Sequence, residues 1–169
     1  WVSKPRVVIV GPPAAGKTKV GKRVAARLGL PFFDTDRIIT ARFGAIPELF
    51  AYEGEAWFRE REAEVVAECL SEDGVVSLGG GAVVTDQTRQ ALGGQVVVAL
   101  EISEDAVQHR LNNAKRPLLK DGIRSWRALV EPRRALYEEV ADYRCDVSHR
   151  DPDDIAEEIT DWLEARGDG

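Results

Sequence analysis

The chain has 169 residues and a net charge of −6, which gives a single domain, residues 1–169, as the expectation and argues against nucleic acid as its partner. No apolar stretch approaches the ~20 residues of a membrane span and no secretory leader is visible, so no membrane association and a cytoplasmic location are expected. The two cysteines, Cys69 and Cys145, are too few for a disulfide framework and read as buried free thiols of a reducing compartment.

The chain begins at Trp1 and holds no Met, so a short stretch upstream of it is expected. Val7-Val8-Ile9-Val10 reads as a short buried strand. Gly11-Pro12-Pro13-Ala14-Ala15-Gly16-Lys17-Thr18 follows directly and fits G-x-x-x-x-G-K-S/T. Lys17 to Leu28 continues as a helix, with Val20, Val24, Ala25 and Leu28 at helical spacing. Strand, loop and helix together form a phosphate cradle, because loop N–H groups and the positive end of the helix dipole converge on one anion. In that setting Lys17 reaches the β- and γ-phosphates and the Thr18 hydroxyl is placed to ligate Mg²⁺. A glycine-rich turn that merely joins strand to helix is the competing reading, and it leaves Lys-Thr after the second glycine unexplained.

Strand-like and helix-like segments alternate along the rest of the chain. This predicts an α/β fold, a five-stranded parallel sheet between helical layers in a three-layer α/β/α arrangement. The strands are placed at about 6–10, 31–33, 75–78, 95–100 and 145–147. Pro31-Phe32-Phe33 runs into Asp34-Thr35-Asp36, read as continuing in extended form, so that both carboxylates point to one side at the carboxyl edge of the sheet. One would serve Mg²⁺ and the other a substrate hydroxyl. Helix N-capping is the alternative for either aspartate.

Residues 37–52 read as one or two short helices, broken near Gly44 and Pro47, and Glu55 to Leu70 as a longer one. Arg59 follows two aromatics there, and its local sequence favours a solvated ion pair with Glu62 at i,i+3. Gly79-Gly80-Gly81 closes the third strand, where a ligand approaching the backbone would account for the loss of side chains. Ser103 is the N-cap of a helix running to about Leu111. Residues 112–124 are cationic and without period, as a lid would be, with Arg116 before Pro117 as the arginine brought to a transferring phosphoryl group. An ordinary surface loop fits the same composition. Ser125 to about Ala141 is a helix bent or interrupted at Pro132. The last helix, after Arg150-Asp151-Pro152, places Ile155, Ile159, Trp162 and Leu163 on one face. His109 and His149 stand isolated in the sequence and receive no chemistry.

Set in order, these pieces resemble the shikimate kinases, small P-loop kinases of the nucleoside-monophosphate-kinase fold. The likeness is carried by Gly11 to Thr18, Asp34-Thr35-Asp36, Glu53-Gly54-Glu55 leading to Phe58-Arg59, Leu78-Gly79-Gly80-Gly81-Ala82, Arg116-Pro117-Leu118-Leu119, Arg133 before Leu136-Tyr137, and Arg150-x-Pro152. It implies ATP-dependent phosphorylation of the 3-hydroxyl of shikimate, with Mg²⁺, in a step toward aromatic amino acids, by a monomer. It also implies roles for individual residues. Gly11, Pro12, Pro13, Ala14, Ala15, Gly16, Lys17 and Thr18 would hold the ATP phosphates, with Arg110 and Arg150 flanking the adenine. Thr18 and Asp34 would serve the metal. Asp36 would orient or deprotonate the attacking hydroxyl, in substrate-binding helices spanning about 36–62. Arg59 and Arg133 would clamp the carboxylate, and Gly80 and Gly81 would contact substrate through their backbone. Lys17, Asp36 and Arg116 would be the catalytic set. One departure stands out: the family's loop usually has glycine where this chain has Ala14, and alanine tolerates positive φ poorly. A related gluconate kinase is the competing enzyme. A non-catalytic ligand-sensing domain is the other alternative, and it predicts decay of site residues that are all present here.

Overall fold

The computed structural model describes residues 3–113 and 122–167. Its first strand, β1 (Val7–Val10), is buried at every position, as a strand covered on both faces must be. The side chains alternate between two cores. Val7 and Ile9 join one cluster, and Val8 and Val10 the other, because successive residues of a strand face opposite ways. Around β1 the chain lays down α1 (Lys17–Leu28), β2 (Phe32–Asp34), α2 (Thr35–Phe43), α3 (Ile46–Glu53) and α4 (Glu55–Cys69). β3 (Val75–Ser77), a 3₁₀ turn at Ala82–Val84, α5 (Asp86–Leu92), β4 (Val97–Glu101) and α6 (Glu104–Asn113) follow. The rest is α7 (Ile123–Val130), a 3₁₀ turn at Glu131–Arg133, α8 (Arg134–Val140), β5 (Tyr143–Asp146) and α9 (Pro152–Ala165).

The sheet has five strands in the order β2-β3-β1-β4-β5, and all four pairings are parallel. One face packs on α1, α6, α7 and α9 through Val20, Val24, Val107, Trp126, Ile155, Ile159 and Leu163. The other packs on α2, α4 and α8 through Ile39, Phe58, Val65, Val66 and Tyr137. The predicted α/β class, strand count and two-sided cover are therefore present. Every strand runs the same way, so all five carboxyl ends lie on one edge, where such sheets place ligands.

Two expectations need correction. Asp34-Thr35-Asp36 does not stay extended. Asp34 ends β2 and caps α2, accepting from the N–H groups of Asp36 and Arg37, so Asp36 already sits in the first helical turn. Pro47 does not break a helix; it lies in the first turn of α3, where its missing N–H costs nothing, and the break falls at Gly44 alone. After the glycine turn, Ala82–Val84 form the 3₁₀ turn and Asp86–Leu92 form α5. The predicted interruption at Pro132 is present as the 3₁₀ turn between α7 and α8. Ser103 does cap α6, its hydroxyl accepting from Ala106 N–H at 3.1 Å. The lid placed at 112–124 is helical at both margins, in α6 up to Asn113 and in α7 from Ile123. Its centre, with Arg116, lies outside the described residues.

Candidate active site

The loop between β1 and α1 runs through three residues of positive φ: Gly11 at 149°, Ala14 at 71° and Gly16 at 80°. The flagged alanine therefore does occupy a left-handed conformation. Gly16 is the N-cap of α1 and offers no capping side chain, so among the described residues no side chain caps the first N–H groups of the helix. Such an end is suited to an anion. Lys17 Nζ donates to the carbonyls of Gly11 at 2.8 Å and Pro12 at 3.0 Å, so the ammonium is held at the mouth of its own loop. Burial pushes its pKa down to about 8, opposed by the nearby charges of Asp36 and Asp34.

Thr18 hydroxyl donates to Asp34 Oδ2 at 2.8 Å, while Asp34 Oδ1 accepts from Asp36 N–H at 3.0 Å. One aspartate thus both caps α2 and ties it to the nucleotide loop, so capping and a site role are not alternatives. A hydroxyl and a carboxylate side by side suit a hard divalent cation, and Mg²⁺ takes few protein ligands beside substrate phosphates.

These groups line a cleft of about 760 Å³, shared by Ala14 to Thr18, Asp34, Asp36, Arg110 and Arg150. Arg110 reaches from α6 to the Ala14 carbonyl. Arg150 pairs with Glu158 at 2.8 Å and donates to the Asp146 carbonyl at 2.7 Å. Both arginines expected near the adenine therefore stand at the cleft wall, fixed by protein partners. His109 also lines the cleft, its ring 6.0 Å from that of His149. The two histidines are distant in sequence but neighbours in space.

At the other end of the cleft the geometry is set by side chains. A Cβ added to Gly79 would stand 2.4 Å from Asp36 Oδ1, and one added to Gly81 would stand 2.6 Å from Arg59 Nη2. Gly79 and Gly81 are thus required by neighbouring side chains. Gly79 N–H donates to the buried hydroxyl of Thr35 at 3.1 Å. Burial raises the pKa of Asp36, Asp34 raises it further, and Lys17 and Arg59 pull the other way.

Arg59 does pair with Glu62, at 2.8 Å, but the pair is not solvated as the local sequence suggested. The Glu62 side chain is 3% exposed and the Arg59 side chain 14%. Burial raises the pKa of Glu62 against the pull of Arg59. The guanidinium lies against the rings of Phe50 and Phe58; its buried Nε–H has no hydrogen-bond acceptor among the described residues, the Glu55 carboxylate standing 3.5 Å away. Arg133, in the turn before α8, lies near enough for its charge to act on Lys17, Glu62 and Tyr137. Tyr137 hydroxyl donates to the Gly80 carbonyl at 2.5 Å, fixing the glycine turn to α8.

The structure therefore brings Lys17, Thr18, Asp34, Asp36, Arg59, Gly79–Gly81 and Arg133 to one edge of the sheet. Glu62, Tyr137 and Trp126 belong beside them and were assigned no role from sequence. For Glu62 and Tyr137 the signal was present, three and four residues after Arg59 and Arg133. For Trp126, whose indole N–H donates to the Pro13 carbonyl at 2.7 Å, no local signal exists.

Comparison with known proteins agrees with this geometry. The family model "SKI: Shikimate kinase" matches residues 13–164. A shikimate kinase of Streptomyces coelicolor is 44% identical over 169 residues, covering 98% of this chain and 99% of its own. In structure, the shikimate kinase from Acinetobacter baumannii in complex with shikimate superposes with a TM-score of 0.84 at 32% identity, over 98% of this chain and 95% of its own. A gluconokinase from Sinorhizobium meliloti reaches a TM-score of 0.58 at 21% identity, over 95% of this chain and 91% of its own, a likeness of fold alone. Matched in sequence and in structure over nearly its whole length, the chain belongs to the shikimate kinase family.

Proposed function

We propose that the chain transfers the γ-phosphoryl group of ATP to the 3-hydroxyl of shikimate, giving shikimate 3-phosphate and ADP, a step toward aromatic amino acids. What supports the acceptor assignment is a pair of guanidiniums near the aspartate and the loop lysine: the charge of Arg59 acts on Asp36, and that of Arg133 on Lys17 and Glu62. A guanidinium matches a carboxylate because its planar fork presents parallel N–H donors. A neutral polyol gives no reason to gather two such charges in one pocket.

The division of labour follows from the chemistry. Phosphoryl transfer asks the protein for alignment and for positive charge where negative charge spreads. Lys17 and the loop N–H groups supply that charge at the phosphates. Thr18 and Asp34 would hold Mg²⁺, which neutralises phosphate charge when bound. Arg116 is the further cation assigned to the transferring group. Asp36 accepts a hydrogen bond from the attacking hydroxyl and orients it. Burial makes its carboxylate a better proton acceptor, as a base for an alcohol requires. As the new O–P bond forms, the bond from the γ-phosphorus to the bridging oxygen breaks and ADP leaves. The helices from Asp36 to Glu62 form the acceptor half of one domain acting as a monomer. The two buried free thiols support a cytoplasmic location.

The deciding experiment is an ADP-release assay with shikimate and with gluconate as acceptors. Turnover of shikimate and not gluconate is expected. Turnover of gluconate alone would reject the assignment.

A further inference from the structure

The nucleotide loop contains a backbone conformation its own sequence disfavours. Ala15 N–H donates to the Pro12 carbonyl at 3.3 Å, closing a β-turn over Pro13 and Ala14. Ala14 takes φ of 71°. Proline at the second position and positive φ at the third define a type II turn, in which the third residue is favoured as glycine. With alanine there, the relaxed alternative is a type I turn, reached by turning the Pro13–Ala14 peptide over. The two turns differ in which side of the loop the Pro13 carbonyl and the Ala14 N–H face.

Trp126 decides between them. Its side chain is fully buried, and its indole N–H donates to the Pro13 carbonyl at 2.7 Å. The indole nitrogen is a donor only, so turning the peptide over would set two N–H groups against each other in a buried place. Carbonyl and N–H point opposite ways across a trans peptide. Ala14 N–H is therefore directed away from Trp126, and Ala14 lines the cleft. Among the described residues that N–H has no protein acceptor. On the neighbouring flank a Cβ at Gly80 would stand 3.2 Å from Pro13 Cδ, so the proline ring is closely confined.

We propose that Trp126 is a positioning residue for nucleotide binding. It holds the Pro13–Ala14 peptide in the strained orientation that presents the Ala14 N–H to a nucleotide phosphate. The proposal rests on the phosphate-binding reading of the loop and on nothing about the acceptor.

The test titrates ADP with magnesium chloride into the unsubstituted chain, W126F, A14G and the double variant, with thermal midpoints and steady-state constants measured alongside. W126F is expected to weaken ADP binding about tenfold, the size of one lost hydrogen bond that orients a ligand donor. KM for ATP should rise in step, with kcat and KM for shikimate within about twofold. In the A14G background, where positive φ costs nothing, the same substitution should weaken ADP binding less than about threefold. That rescue is what a mere packing defect would not show. Should W126F fail to fold, benzothienylalanine at position 126 removes the N–H at nearly constant volume and carries the same expectations. ADP affinity within twofold of the unsubstituted chain, or an equal loss in both backgrounds, would overturn the proposal. If the unsubstituted chain bound no ADP, the functional reading would fall first, and the proposal with it. Failure of shikimate as acceptor would leave the ADP titration unaffected.

Discussion

The two halves of the cleft are built on different principles. The proposed nucleotide half is one contiguous stretch, Gly11 to Thr18, in which three positive φ angles set the backbone N–H groups. The proposed acceptor half draws Asp36, Arg59, Gly79–Gly81, Arg133 and Tyr137 from separate segments, and it relies on charged side chains. Every residue but proline offers a backbone donor, so the first half tolerates an alanine in a glycine's place if something braces it. Charged side chains in a buried site do not tolerate exchange, because each is held by others. Arg59 is paired with Glu62 at 2.8 Å, and Asp36 fits only because Gly79 has no side chain.

This contrast predicts that changes in the acceptor half spare nucleotide binding. The largest effect is expected for Asp36→Asn, which keeps the shape and removes the proton acceptor. kcat should fall by about 10²–10⁴, with KM for ATP within about threefold. An unimpaired kcat would exclude the proposed role. Next is Gly79→Ala, whose added Cβ would stand 2.4 Å from Asp36 Oδ1. The carboxylate must shift by about an ångström, a displacement that costs up to about 10²-fold in rate, while the thermal midpoint stays within a few degrees because a side-chain end can move. A kcat equal to that of the unsubstituted chain would show that the position of Asp36 is not critical. Arg133→Ala should raise KM for shikimate about 10- to 100-fold, the loss of a hydrogen bond between charges, with kcat much less affected. An unchanged KM would assign the carboxylate to another residue.

The smallest and most selective effect separates the halves by pH. Burial holds Lys17 at about 8, so the free protein carries that charge below about pH 8 and loses it above. Nucleotide binding above that point must take up a proton. ATP affinity should therefore fall as pH rises through about 8, by at most about tenfold per unit, with proton uptake visible as a dependence of binding heat on buffer. Affinity independent of pH between 7 and 9.5 would place the charge elsewhere. For folding the sign is reversed. Between about 8 and the ordinary 10.5 the folded chain binds fewer protons at Lys17 than the unfolded one, so this group's contribution to stability grows with pH across that window.

The sequence by itself determined what depends on neighbours along the chain. The buried run Val7–Val10, the loop signature, the 3.6-residue period of α1 and the alternation of elements specify an α/β nucleotide-binding fold, because periodicity and glycine placement act locally. It also marked Ala14 as a residue in conflict with its backbone, and φ of 71° bears this out. Only the tertiary structure decided the rest. Thr35 enters a helix because Asp34 caps it, which the extended reading of Asp34-Thr35-Asp36 missed. Arg59 looked like a solvated ion-pair partner, and only packing buries that pair and sets the guanidinium against Gly81. Trp126 and Pro13 are 113 positions apart, and no pattern within either segment refers to the other. Hydrogen bonds across such distances, and the dielectric in which charges meet, are created by packing; the chain carries the groups, and the fold decides which of them meet.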